Sequence, residues 1–291
     1  MTGILLFGRQ RLGPTEPLQA MMDTLQRDDV RLWVCRSFYE QLNGRIRFPE
    51  NSSVLDENVT VLPPEINYVF TVGGDGTFLD ALPLVQGSRL PLFGINTGRL
   101  GFLSNTSIRD FNEAMEAVLH KDFTLEKRML LHVDHPCCEH LPWALNDVCI
   151  QRSGSNGMVT IEVFVDGEHL NTYWCDGLII ATPTGSTAYS LGCGGPILTP
   201  DANAFVLTPI ASHTLTVRPI VLSGESRIHM EVGTRSDSFV INMDSNTYTV
   251  RQPLHVDIRK EAFSVELMRL NGQSFYKTLR DKLMWGLDRR N

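Results

Sequence analysis

The chain has 291 residues, 42% of them apolar, and a formal charge of −7. That length supports a sizeable core and favours two domains over one. The negative balance, with no long run of Lys or Arg, argues against a nucleic-acid or anionic-membrane footprint and leaves small-molecule binding as the better fit.

Twenty-one of the basic residues are Arg and five are Lys, the first lysine falling at position 121. No P-loop of the form Gly-x-x-x-x-Gly-Lys-Ser/Thr occurs, so a phosphate must be held by amides, arginines or a metal ion. The dinucleotide fingerprint Gly-x-Gly-x-x-Gly is also missing, which disfavours an ordinary hydride-transfer site. The six cysteines show no regular framework and the N-terminus carries no basic leader, so reduced thiols and a cytoplasmic location are expected. No apolar run approaches the roughly 20 residues of a membrane-spanning helix.

The first hundred residues alternate strand and helix signals, the pattern of a parallel sheet with helices on its faces. Ile4 to Phe7 and Arg31 to Cys35 read as strands. Between them Leu18, Met21, Met22 and Leu25 form an i, i+3, i+4, i+7 stripe behind Pro14 and Pro17, which predicts an amphipathic helix. Tyr68 to Val72 and Leu92 to Ile95 supply two more strands, each ending at a glycine-containing turn. Asp110 to His120 predicts a further helix. From Thr124 to about Met268 the period changes to short alternating segments, as in an all-β layer. Its clearest hairpin turns at Asp166-Gly167, because Asp-Gly supplies positive φ. Phe275 to Leu287 returns to helical spacing and is expected to pack back on the α/β layer. The expected division is residues 1–104 with 271–291 as an α/β domain, and 105–270 as a β-rich domain of sandwich type.

The most informative segment is Gly73-Gly74-Asp75-Gly76-Thr77, between the strand ending at Val72 and a helix beginning near Phe78. Glycines allow close approach of another group to the main chain, so three of them around one carboxylate can cup an anion with amides. Asp75 can equally serve as a helix cap. A second glycine-bearing stretch runs from Gly94 to Leu103. A third segment, Asn146-Asp147, pairs an amide with a carboxylate, a set that can hold ribose hydroxyls or simply form a turn. The fourth, Asp176 to Ser190 and on to Gly194-Gly195-Pro196, follows a buried strand with small hydroxyl residues and an aromatic face, a surface suited to the edge and plane of a base.

Taken together and in this order, these segments, with His213, Arg218-Pro219 and Lys282 to Trp285, resemble the NAD kinases. Gly-Gly-Asp-Gly-Thr alone is shared with lipid kinases, whereas Thr184-Gly185-Ser186-Thr187-Ala188-Tyr189 with the Gly94 stretch is far more specific. The resemblance implies transfer of the terminal phosphoryl group of ATP, with Mg²⁺, to the adenosine ribose 2′-hydroxyl of NAD. It implies Asp75 as base and metal-linked carboxylate, and Gly73, Gly74, Gly76 and Thr77 at the donor phosphates. NAD would be bound by Asn146, Asp147, Asp176, Ser186, Thr187, Ala188, Tyr189, Ser190, Leu191, Gly192 and Asn246. It further implies a homodimer or homotetramer. Two departures from the family pattern stand out: Asp147 where Glu is common, and Asn246 where Gln is common. The alternatives are a lipid kinase, which the charge disfavours, and a non-catalytic dinucleotide-binding protein, which the presence of Asp75 disfavours. Outside the resemblance, His132, His135, Cys137, Cys138 and His140 crowd together as candidate zinc ligands, although adjacent cysteines do not readily fill two tetrahedral positions.

Overall fold

In the computed structural model of the chain, residues 1–9, 14–59, 61–154, 157–234, 238–251 and 254–286 are described. They form two compact units, 1–127 with 265–291, and 128–264. Among the described residues no helix is long and apolar enough to cross a membrane.

The first unit is built on an eight-stranded sheet. Across it run the strands Ser52–Leu55, Val30–Cys35, Thr2–Gly8, Tyr68–Val72, Leu92–Asn96, Val265–Leu270 and Phe123–Arg128, with the short Thr106–Ser107 also on Leu92–Asn96. The strands from Ser52–Leu55 through Leu92–Asn96 pair in parallel, as does Val265–Leu270 on Leu92–Asn96. The apolar runs of Thr2–Gly8, Val30–Cys35, Tyr68–Val72 and Leu92–Asn96 are buried on both faces, which is what a parallel sheet covered by helices requires, while Ser52–Leu55 is a partly exposed edge. Helix Glu16–Leu25 buries the expected stripe of Leu18, Met21, Met22 and Leu25. Helix Arg36–Leu42, which the sequence expectations omit, buries Phe38 and Leu42 one turn apart.

The domain boundary differs from the one expected, and the reason is packing. Helix Phe111–Leu119 places Phe111, Ala114, Met115 and Val118 in one core with Ile4, Phe70 and Phe93. The strands Phe123–Arg128 and Val265–Leu270 lie in the eight-stranded sheet, so the chain leaves this unit after residue 127 and re-enters it at 265. Returning helix Phe275–Leu283 is capped by Ser274 and buries Leu279, and Phe275 lies 6.2 Å from the Phe102 ring. It stops at Met284, whose φ of 52° is left-handed, and expected Leu287 lies outside the described residues.

The second unit is a β-sandwich of two six-stranded sheets. One runs Ile220–Ser223, Ala204–Ile210, Gly177–Ala181, Asp147–Arg152, Ser238–Met243, Asn246–Arg251, and the other Glu168–Cys175, Val159–Val165, Ile228–Thr234, Leu254–Lys260, Leu131–Asp134, Trp143–Ala144. Ile150, Leu178, Ile180 and Phe205 of the first meet Ile161, Val163, Met230 and Ile258 of the second in a single core. The hairpin at Asp166-Gly167 has φ of 53° and 86°, as its turn type demands.

Candidate active site

Strand Tyr68–Val72 ends in the glycine turn, and Asp75 opens the helix Asp75–Ala81. Its carboxylate accepts the N–H of Phe102 at 2.8 Å on Oδ2, and those of Leu103 at 3.1 Å and Ser104 at 2.9 Å on Oδ1. The second glycine stretch thus folds over the first. Gly101 makes this possible: a Cβ there would stand 1.8 Å from Asp75 Oδ1. Asn96 ties the same loop down, accepting from the Gly98 N–H at 2.7 Å and donating to the Ser104 carbonyl at 3.3 Å. Buried Arg269 braces it from beneath, donating to the Phe102 carbonyl at 2.9 Å while paired with Glu126 at 3.1 Å.

A fourth donor reaches the carboxylate from the far end of the chain. Lys282 Nζ lies 3.4 Å from Asp75 Oδ2 and 4.5 Å from the centre of the Phe102 ring. A carboxylate has about four lone-pair sites. Three amides and one ammonium therefore fill them, and a ligand that approaches Oδ2 takes the place of Lys282. Gly74 and Gly76 leave open space beside their backbones. Gly73 contributes shape instead of a donor: its N–H is held by the Ile95 carbonyl at 2.9 Å, and a side chain would strike Thr77, which is itself buried.

Within the β-sandwich a second carboxylate cradle appears. Asp244, at the tip of the hairpin joining Ser238–Met243 to Asn246–Arg251, accepts the consecutive N–H groups of Leu145, Asn146 and Asp147 at 2.7, 2.7 and 3.3 Å. Its own backbone is left-handed, with φ of 52°. Burial pushes Asp244 up to about 6 against the downward pull of those three donors. Asp147 has no donor of its own among the described residues, and burial together with the neighbouring Asp244 charge pushes it up to about 7. Asp147, lacking the three amides that offset burial at Asp244, is the more readily protonated of the two. Asn146 presents its side-chain amide unbonded among the described residues, while its carbonyl accepts from the Thr182 N–H at 2.9 Å. Gly185 packs so tightly on that carbonyl that a Cβ would fall 1.9 Å from the oxygen.

The loop after Gly177–Ala181 sorts the expected dinucleotide contacts into two sets. Ser186 is fully buried, donating to the Pro183 carbonyl at 2.7 Å and accepting from the Leu198 N–H at 2.9 Å. Ser190 is fully buried against Thr208 Oγ1 at 2.8 Å. These hydroxyls hold the loop together. Thr187 bonds the Thr184 carbonyl at 3.2 Å, and Leu191 is half-buried. Ala188, Tyr189 and Gly192 face outward, Tyr189 with 47% of its surface exposed. Asp176 is paired with Arg152 at 3.1 Å, and Asn246 begins its strand half-buried, two residues from Asp244.

Of the candidate zinc ligands, His132 bonds Glu261 at 2.6 Å, Cys138 lies in the sandwich core, and His135 Nδ1 meets Cys137 Sγ at 3.0 Å. They do not converge on one point. The six cysteines are free thiols.

Each cradle falls within a segment that a family model matches. The ATP-NAD kinase N-terminal domain matches residues 37–123 and the ATP-NAD kinase C-terminal domain matches residues 145–270. An NAD kinase of Flavobacterium psychrophilum is 42% identical over 79% of this chain and 80% of its own. One from Flavobacterium johnsoniae is 36% identical over 99% of each chain. Among solved structures, yeast NADH kinase complexed with NADH superposes with a TM-score of 0.88 at 22% identity, covering 99% of this chain and 89% of its own. An NAD kinase from Archaeoglobus fulgidus in complex with ATP gives 0.74 at 23% identity, covering 98% and 99%. The chain belongs to the NAD kinase family. It is a phosphotransferase that converts NAD to NADP with ATP as phosphoryl donor, and the lipid-kinase and non-catalytic alternatives fall away.

Proposed function

We infer that Asp75 is the group around which this reaction is organised. Phosphoryl transfer depends mainly on alignment and charge neutralisation, so a carboxylate locked in one orientation is more useful than a mobile one. The observation that carries the assignment is the triple amide clasp from Phe102, Leu103 and Ser104. In the reaction a bond forms between the ribose 2′-oxygen of NAD and the γ-phosphorus of ATP, the bond to ADP breaks, and the hydroxyl proton passes to Asp75. Lys282 yields Oδ2 to the incoming group and turns its charge toward the donor phosphates, a role the missing P-loop lysine leaves open. Gly74 and Gly76 offer amides to those phosphates, with Thr77 supporting the turn.

Oxygen donors suit Mg²⁺, and Asp75 together with phosphate oxygens makes a fitting set. The ion supplies charge neutralisation across the phosphates. Asn146 and Asp147 hold ribose hydroxyls, Tyr189 offers a ring face to the base, and Asp176, Thr187, Ala188, Leu191, Gly192 and Asn246 complete the surface. Ser186 and Ser190 shape it from within. Free thiols support a cytoplasmic setting. A homodimer or homotetramer is the expected assembly, and a native mass equal to one chain excludes both.

Asp75→Asn tests the central assignment. Its amide keeps the size but loses the base, so NADP formation with ATP and Mg²⁺ falls about 10²–10⁴-fold while NAD still binds. Turnover equal to the unsubstituted enzyme refutes the role.

A further inference from the structure

The outer face of the sandwich carries a further cluster, made of residues given no role above. Strands Ile228–Thr234 and Leu254–Lys260 run antiparallel with His229 opposite Asp257 and Glu231 opposite His255. Ile228, Met230, Val256 and Ile258 point into the core. By alternation His229, Glu231, His255 and Asp257 share the solvent face.

Their geometry is that of a ligand set. His229 Nδ1 lies 2.9 Å from Asp257 Oδ1, which fixes the ring and leaves Nε2 facing Glu231 Oε1 at 3.6 Å. The His255 ring lies parallel to His229, with centroids 6.2 Å apart and an 11° interplanar angle. One ligand atom each from His229, Glu231 and His255 lies within 4.8 Å of the other two. Two atoms bound tetrahedrally at about 2.0–2.2 Å from one ion stand roughly 3.3–3.6 Å apart, so small side-chain rotations close the set.

The adjoining strand adds an electrostatic reason. Val159–Val165 pairs with Ile228–Thr234 so that Glu162 faces Glu231 and Phe164 faces His229. Like charges directly across a sheet repel. His169 relieves Glu162, its Nε2 standing 3.4 Å from Glu162 Oε1, and the Phe164 ring packs 6.0 Å from His229. Glu231 is left with the two imidazoles as its partners, and a cation between them neutralises it.

The geometry points to a divalent transition-metal site of zinc type formed by His229, Glu231 and His255, with a fourth position open and Asp257 as the carboxylate that orients His229. Two imidazoles and one carboxylate select zinc, nickel or cobalt over magnesium, whose ligands are oxygens. The site is thus chemically distinct from the Mg²⁺ of the reaction.

The test uses the full chain, stripped with chelator and titrated with Zn²⁺ alone by calorimetry, then with Co²⁺ to read tetrahedral ligand-field bands. One equivalent binds in the micromolar range. His229→Ala and His255→Ala each remove that equivalent, and Asp257→Asn weakens it about 10–100-fold. These side chains are exposed on a formed sheet, so melting temperature checks that the variants remain folded, and Mg²⁺-dependent NADP formation stays unchanged in them. Cys137→Ser leaves the titration as it was. Binding only in the millimolar range, an equivalent that survives His255→Ala, or one that disappears with Cys137→Ser overturns the proposal.

Discussion

At the scale of single residues, the two carboxylates that organise this protein are held by main-chain amides, and the difference between them lies in what else arrives. Asp75 keeps 28% of its side chain exposed and has Lys282, itself 35% exposed, at its one replaceable position. Asp244, itself half-buried, has only amides as partners among the described residues and is structural. Lys282→Met keeps the aliphatic stem over Phe102 and deletes the charge. If the ammonium transfers to the donor phosphates, kcat/KM for ATP drops on the order of tenfold or more, near 1.4 kcal/mol of transition-state stabilisation, while KM for NAD holds. Equal kcat/KM for ATP in steady-state kinetics reduces Lys282 to a packing residue. The glycine turn was legible in the sequence because its elements are contiguous. Lys282 and Asp244 were not, since the contacts that give them meaning span 207 and 97 to 99 positions, and no local pattern encodes a partner that far away.

At the scale of elements, the hairpin tip at Asp244 and the strand beginning at Asp147 form one device. The change of period after Thr124 foretold a β-rich layer here, but it named neither of these strands and could not foretell that their ends would bring Asp147 and Asp244 near one another. The consequence is a pH dependence of unusual sign. Asp147 ionises at its ordinary 3.8 when unfolded and at about 7 when folded, so between those values the folded state holds the extra proton. Stability therefore declines as pH rises through that window, the reverse of a salt-bridged aspartate. The rise corresponds to at most roughly 4 kcal/mol. Asp147→Asn removes the ionisation: denaturant unfolding at pH 8 should be harder than for the unsubstituted protein, with the two converging near pH 4. KM for NAD should rise, because the ribose loses a fitted partner. A variant that is less stable at pH 8 contradicts the burial argument.

At the scale of the whole molecule, the chain's route determines which unit can stand alone. The sandwich is continuous from 128 to 264 and closes its own core, with both sheets contributing to one cluster. The α/β unit is interrupted. Val265–Leu270 lies between Leu92–Asn96 and Phe123–Arg128 in the sheet order, so residues 1–127 by themselves lack an interior strand. Sequence periodicity placed this strand with the β-rich layer, because an alternating segment reads alike whichever sheet receives it; its place between Leu92–Asn96 and Phe123–Arg128 assigns it. A fragment of residues 128–264 should fold, giving a dispersed amide NMR spectrum and a cooperative melt. Residues 1–127 alone leave the edge groups of Leu92–Asn96 unpaired, leave Arg269's partner Glu126 without its guanidinium, and lose the bond from Arg269 that supports the Phe102 carbonyl. That fragment should give a collapsed spectrum without a cooperative transition, and adding a separate 265–291 peptide should restore part of it. Cooperative folding of 1–127 unaided would mean that the returning strand and helix decorate a finished unit, and that the clasp on Asp75 owes nothing to the chain's last turn.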